Sequence, residues 1–170
     1  ELKYFNIFSN LNSFAINLLN KVDFIFIISL LTIDETDNAE YFLYRFNISK
    51  KNQKRIREIH DFYKENITTK KFSEKNLNRV FYYKGKDAVI DILNFRIFKS
   101  KKLDNDLVEY LNFYKEKTIP TMPIKADILI ERYKIPKGKI LGEKLKLIEK
   151  EWVNNNFKIS DHQIEIIANS

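Results

Sequence analysis

With three glycines and three prolines in 170 residues, the chain lacks the turn chemistry that a sheet protein needs at every hairpin. Its breaker-free stretches carry apolar residues at three-to-four spacing. That pattern predicts an all-α fold of about eight to ten helices with no sheet. Hydrophobic residues make up 44% of the chain, enough to fold and too many for a disordered segment. This length allows one domain, or two small ones sharing a continuous core.

Leu2, Phe5, Phe8, Leu11, Phe14, Ala15, Leu18 and Leu19 keep helical spacing and predict one or two amphipathic helices over 2–20. The most apolar run, Val22 to Ile33, has twelve residues including Asp23. Crossing a bilayer takes about 20, so the run reads as a buried helix over 24–31 and no membrane partner is expected. No signal peptide is expected either, because the chain opens on Glu1 and no small-residue cleavage site follows the run. Opening on Glu rather than Met reads as the loss of something upstream. Further helices are expected over 38–46, over 50–65 after a Ser49 cap, over 74–83 with Ser73 and Asn76 as caps, and over 87–98 after a stop at Gly85. In the 50–65 helix, Ile56, Ile59, Phe62 and Tyr63 are the inward stripe; in the 87–98 helix it is Val89, Ile90, Leu93 and Ile97. A helix opened by Asp104 runs to Tyr114. Pro120 and Pro123 then break the rhythm, dividing a helical body over 1–116 from C-terminal tail helices over 117–170. The tail is expected to hold a short helix over 126–133, a long one after Gly138, and a last one capped by Ser160.

The net charge of +7 is unevenly placed. Residues 50–102 carry sixteen basic and six acidic groups, and residues 117–150 carry nine against four. The other segments are net acidic. One or two basic faces are expected, and an anionic partner with them, nucleic acid being the commonest. A lysine-rich solvated surface from an AT-rich genome would give the same count, and the abundance of Ile, Lys, Asn and Phe fits that reading too. No cysteine is present, which excludes disulfides and thiolate metal sites and favours a cytoplasmic home.

No catalytic constellation can be assembled from these residues. There is no Gly-rich phosphate loop after a strand, no paired His with a carboxylate, and no Ser or Cys nucleophile context. His60 and His162 are too far apart in sequence to suggest a ligand pair. Asp104 and Asp106 have the spacing of a metal-binding pair, but acids at a helix start more often cap it and complement its dipole. Catalytic and metal-binding residues are therefore both set at none.

The segment from Pro123 to Phe157 carries the strongest signal. Gly138 and Gly142 stand four residues apart, followed by an apolar ladder of Ile140, Leu141, Leu145, Ile148 and Trp152. Lys134, Lys137, Lys139, Lys144 and Lys146 surround it. A cationic helix start with little steric bulk suits a phosphate. Gly142 would let a nucleic-acid strand come close; a neighbouring helix packed on it would explain it equally well. The candidate RNA-binding residues are Lys134, Lys137, Gly138, Lys139, Gly142 and Lys144. Lys50, Lys51, Lys54 and Arg55, on the basic 50–65 helix, form a second strip.

In order, Pro123, Asp127, Ile128, Gly138, Gly142, Leu145, Ile148, Glu149, Trp152 and Phe157 resemble the C-terminal end of bacterial-type (class II) tRNA nucleotidyltransferases, the CCA-adding enzymes and their poly(A) polymerase relatives. Residues 46–56, FNISKKNQKRI, are similar to that family's apolar-Ser-Arg segment. Residues 79–93, RVFYYKGKDAVIDIL, are similar to its Tyr before a Gly-x-x-Ala helix. Ala126 stands where the family usually has Gly, and the stretch from Asp127 to Gly138 is longer than common. The family's catalytic head, with its nucleotide loop, its Asp-x-Asp for Mg and its CTP/ATP-selecting helix, has no counterpart here. The resemblance implies a tRNA-binding body and tail with no cofactor of its own. It implies tRNA as the partner and no polymerisation by this chain alone. A helical module that docks a separately encoded catalytic half is the alternative, favoured by fourteen Phe and nine Tyr.

Overall fold

The structure, a computed structural model, describes residues 11–34, 36–66 and 73–170. Among them lie ten α-helices and no strand. These are α1 (Ser13–Leu19), α2 (Phe24–Thr32), α3 (Asn38–Arg45), α4 (Lys50–Asn66), α5 (Glu74–Lys84), α6 (Lys86–Lys99), α7 (Asn105–Glu116), α8 (Ala126–Tyr133), α9 (Lys139–Asn154) and α10 (Asp161–Asn169). The part of the expected first helix that precedes Leu11 falls outside the described residues. The chain forms two compact units, one of residues 1–72 and 84–117, the other of 73–83 and 118–170. Units and chain order do not coincide: most of α5 groups with the tail helices.

The first unit is built on α6, which α1, α2, α4 and α7 all contact. A helix so surrounded cannot be amphipathic. Instead of the narrow stripe expected, Ala88, Val89, Asp91, Ile92, Leu93, Asn94, Phe95, Ile97 and Phe98 are all buried, while Ile90 is only half-buried. Asn12 ties α1 to the end of α6: its amide donates to the Ile97 and Ser100 carbonyls at 2.9 and 3.0 Å, and its Oδ1 accepts from Ala15 N–H. The apolar run at α2 is buried on one face only, through Phe26, Ser29 and Leu30, and Phe24 is 72% exposed. No described helix is long and apolar enough to cross a membrane. In α4, Ile56, Ile59 and Phe62 are buried as expected, and His60 joins them.

In the second unit, Leu129, Ile135, Leu141, Ile148 and Ile164 form one core under α8, α9 and α10. Ile140, placed in the ladder by spacing, is 53% exposed, because it stands to one side of the stripe that Leu141, Ile148 and Trp152 bury. Tyr82 of α5 packs edge-on to Trp152 at 5.3 Å between ring centres and donates to Glu149 Oε1 at 2.8 Å. Phe157 covers Trp152 at 5.1 Å. Helix α9 ends in a left-handed turn: Asn156 and Phe157 have φ of 54° and 63°, and Phe157 N–H reaches back to the Trp152 carbonyl at 2.8 Å. That is a Schellman closure, with Asn156 in the left-handed position where glycine is commoner and Phe157 left-handed after it. Asn78 Nδ2 donates to Asn156 Oδ1 at 3.0 Å and helps hold the turn.

Candidate nucleic-acid interface

In the second unit the candidate residues gather around the turn into α9. Lys134 ends α8 in the left-handed conformation, its N–H bonded to the Leu129 carbonyl. Buried Ile135 anchors the irregular segment between α8 and α9, and Lys137 and Gly138 within it are exposed. Gly138 adopts φ 131° and ψ −152°, a region essentially closed to other residues. It is the N-cap of α9, and no side chain caps the helix. The first N–H groups of a helix have no intrahelical partner, so this start keeps unpaired donors. Its first turn holds no acid to complement the dipole. Lys139 begins the helix with a side chain 90% exposed and within 3.7 Å of Glu143. A Cβ built on Gly142 would meet nothing within 4 Å, so no neighbouring helix among the described residues accounts for that glycine. Replacing Gly138 with Ala is expected to cost about 1–3 kcal/mol of stability, the range for a residue forced into such backbone. Chemical denaturation would measure it.

Lys144 has a different setting. Its ammonium donates to the Ile167 carbonyl at 2.8 Å and to Ser170 Oγ at 2.9 Å, closing the end of α10. A lysine there complements the helix dipole and satisfies a terminal carbonyl. Lys144→Ala should therefore destabilise the protein by about 1.5 kcal/mol, the low end for a hydrogen bond to a charged group, since the ammonium is partly exposed. A thermal melt checks this.

The first unit holds the α4 strip. Lys50 and Lys51 are exposed at a helix start without acids, and the Ser49 hydroxyl accepts from Asn52 N–H there at 3.4 Å. Cations at that end oppose the helix dipole, a cost that a bound anion removes. Lys54 pairs with Glu58 at 3.8 Å. Arg55 is drawn inward: its Nε and Nη2 donate to the two oxygens of buried Asp91 at 2.6 and 2.8 Å, and its Nη1 donates to Asp23. Asp23 also caps α2 through Phe26 N–H. Burial pushes the Asp91 carboxyl above its ordinary value, with Arg55 opposing part of that rise. Burial also acts on Asp23, but the bonds from Arg55 and Phe26 outweigh it and hold that carboxyl low. The Asp91 bond is the main reason the Arg55 guanidinium is held more firmly protonated than usual. This network links residues 32 and 36 positions apart, a distance at which no sequence spacing signals it.

Beside it lies a cleft of about 410 Å³ in which Asp23, Glu58, Asp87 and Asp91 face Lys51, Lys54, Arg55 and Lys84. Its charges balance, so it has no bias towards an anion. Asp104 caps α7, accepting from Asp106 N–H at 3.1 Å. No group of three or more His, Cys, Asp or Glu among the described residues is arranged to hold a metal.

An all-helical protein with exposed cations at two uncomplemented helix starts is the class that this fold and these surfaces define. Residues 20–167 match the model of the family described as "tRNA nucleotidyltransferase domain 2 putative", and the chain belongs to that family. No curated protein and no solved structure matches it.

Proposed function

We propose that this chain is the C-terminal, tRNA-binding portion of a tRNA nucleotidyltransferase. It holds tRNA by backbone and shape, while CCA addition belongs to a catalytic head. The carrying observation is the start of α9: an uncapped helix N-terminus at Gly138, flanked by exposed Lys137 and Lys139, with open space at Gly142. Backbone donors and flexible cations are what phosphates need, and neither reads a base. Membership of the family supplies the reason to choose tRNA among polyanions.

Fluorescence anisotropy with a full tRNA and a single-stranded RNA of equal length, across a salt series, tests this. Preference for tRNA is expected. Lys137→Glu with Lys139→Glu should weaken tRNA binding about tenfold or more and flatten the salt dependence by about 2 log units, since each phosphate contact contributes about 0.9. Equal affinity of the double variant and the wild type would remove this helix start from the interface. Equal weak binding of both RNAs, or none, would sink the tRNA reading and leave a protein-docking module in its place.

A further inference from the structure

The outward face of α3 is more aromatic than its packing requires. Ala39 and Leu43 are its buried residues. On the opposite side Tyr41 and Tyr44 lie three residues apart, 64% and 88% exposed, with Arg45 completing the face. Phe46 follows, itself exposed, with its ring 4.7 Å from that of Phe42 and tilted 32°. A helix that needed only to be soluble would carry charged residues at 41 and 44. Here four aromatics in six residues surround an arginine that makes no ion pair among the described residues.

Charge is graded along this face. At its start, Glu40 is engaged by Arg57 at 3.4 Å. Asp34 is occupied too, by the Thr36 N–H and hydroxyl and by the Asn38 amide. At its end Arg45 is followed within six residues by Lys50 and Lys51, both exposed. Exposed rings interleaved with cations are how proteins hold unpaired nucleotides: each base stacks on an aromatic face while flanking phosphates meet Arg or Lys.

We propose that Tyr41, Tyr44 and the Phe42/Phe46 pair form a stacking platform for unpaired RNA bases, with Arg45, Lys50 and Lys51 on the neighbouring phosphates. The proposal rests on the RNA-binding reading above and adds to it a site that recognises bases, on a different helix.

The test uses the full chain and two labelled probes of equal length, a single-stranded RNA and its abasic counterpart, together with tRNA. Tyr41→Ala with Tyr44→Ala should weaken binding of the base-bearing oligonucleotide at least tenfold and leave the abasic probe unchanged. Tyr41→Trp with Tyr44→Trp should retain binding, because a larger ring stacks at least as well. Equal loss on both probes, or no loss on either, overturns the platform. If the alanine pair changes nothing while Lys137→Glu with Lys139→Glu still weakens tRNA binding, the platform fails and the tRNA reading stands. If the wild type binds no RNA, both fall. Both tyrosines are exposed, and a circular dichroism melt equal to that of the wild type shows that the alanine pair folds.

Discussion

Replacing Arg55 with methionine is expected to destabilise the protein by about 3 kcal/mol at pH 7, the low end for removing one partner of a buried ion pair, since part of the arginine reaches solvent. For a chain of this length that is a fall of roughly 6–12 °C in melting temperature. Most of the loss comes from Asp91. Its side chain is 10% exposed and lies near the centre of α6, where a carboxylate without its guanidinium partner is poorly hydrated. The penalty should shrink with acid. Asp91 already titrates above its ordinary value because of burial, and removing Arg55 takes away the group that opposes that rise. A carboxyl whose folded pKa is raised gains stability for the fold as pH falls through that value, because the native state then binds the proton more readily than the unfolded chain. The variant should therefore be closer to wild type at pH 5 than at pH 7. Adding Asp91→Asn should recover much of the loss at pH 7. Melts at both pH values decide the matter: a deficit independent of pH, or no recovery on adding Asp91→Asn, would mean that Arg55 contributes by packing alone. In the wild type, Asp23 works with the opposite sign. Its lowered carboxyl contributes stability that is present above its unfolded value and is lost as pH falls through the folded one.

The second large effect is expected from Trp152→Ala, at about 3–5 kcal/mol, the usual cost of deleting a large buried ring. Trp152 is 3% exposed and is the ring on which both Tyr82 and Phe157 rest. Its loss removes the packing that holds Asn156 and Phe157 in left-handed backbone, so the end of α9 should fray. Tyr82 reports on this independently. Burial, helped by the bond to Glu149, pushes its hydroxyl up to about 12. A phenol raised in the folded state contributes stability that is complete below its unfolded value and disappears as pH rises from about 10 towards 12. In Trp152→Ala, tyrosinate absorbance should appear at lower pH than in the wild type. Trp152→Phe, which keeps a ring, should lie between the two. An unchanged alkaline titration in the alanine variant would show that Trp152 does not shield Tyr82.

Much of this was legible in the chain. The scarcity of glycine and proline, with apolar residues at helical spacing, was enough to predict an all-helical fold, and helix starts at Lys50, Glu74 and Lys139 follow from Ser49, Ser73 and Gly138. Capping is a local interaction over three or four residues, so spacing reveals it. A likeness to tRNA nucleotidyltransferases was legible too, in the order of Asp127, Gly138, Gly142 and Trp152, and the match over 20–167 supports it at the level of that family. Burial was less legible. A surrounded helix such as α6 has no single inward face, so the stripe assigned to Val89, Ile90, Leu93 and Ile97 understated it. Helix α2 is as apolar as any segment yet turns Phe24 outward, because Phe24 lies on the side of the helix opposite buried Phe26 and Leu30.

What the sequence determined by itself is what depends on neighbours along the chain: helix, cap, breaker, and the two basic stretches. Which lysines and arginines are available to a partner was decided only by the tertiary structure. Arg55 and Lys144 look no different in sequence from Lys51 and Lys139. Folding pairs the first two with groups far along the chain, Asp91 with Arg55 and the Ile167 carbonyl with Lys144, while Lys51 and Lys139 remain exposed. A charge is an isolated property of a residue, but its availability depends on what the fold brings within about 3 Å of it.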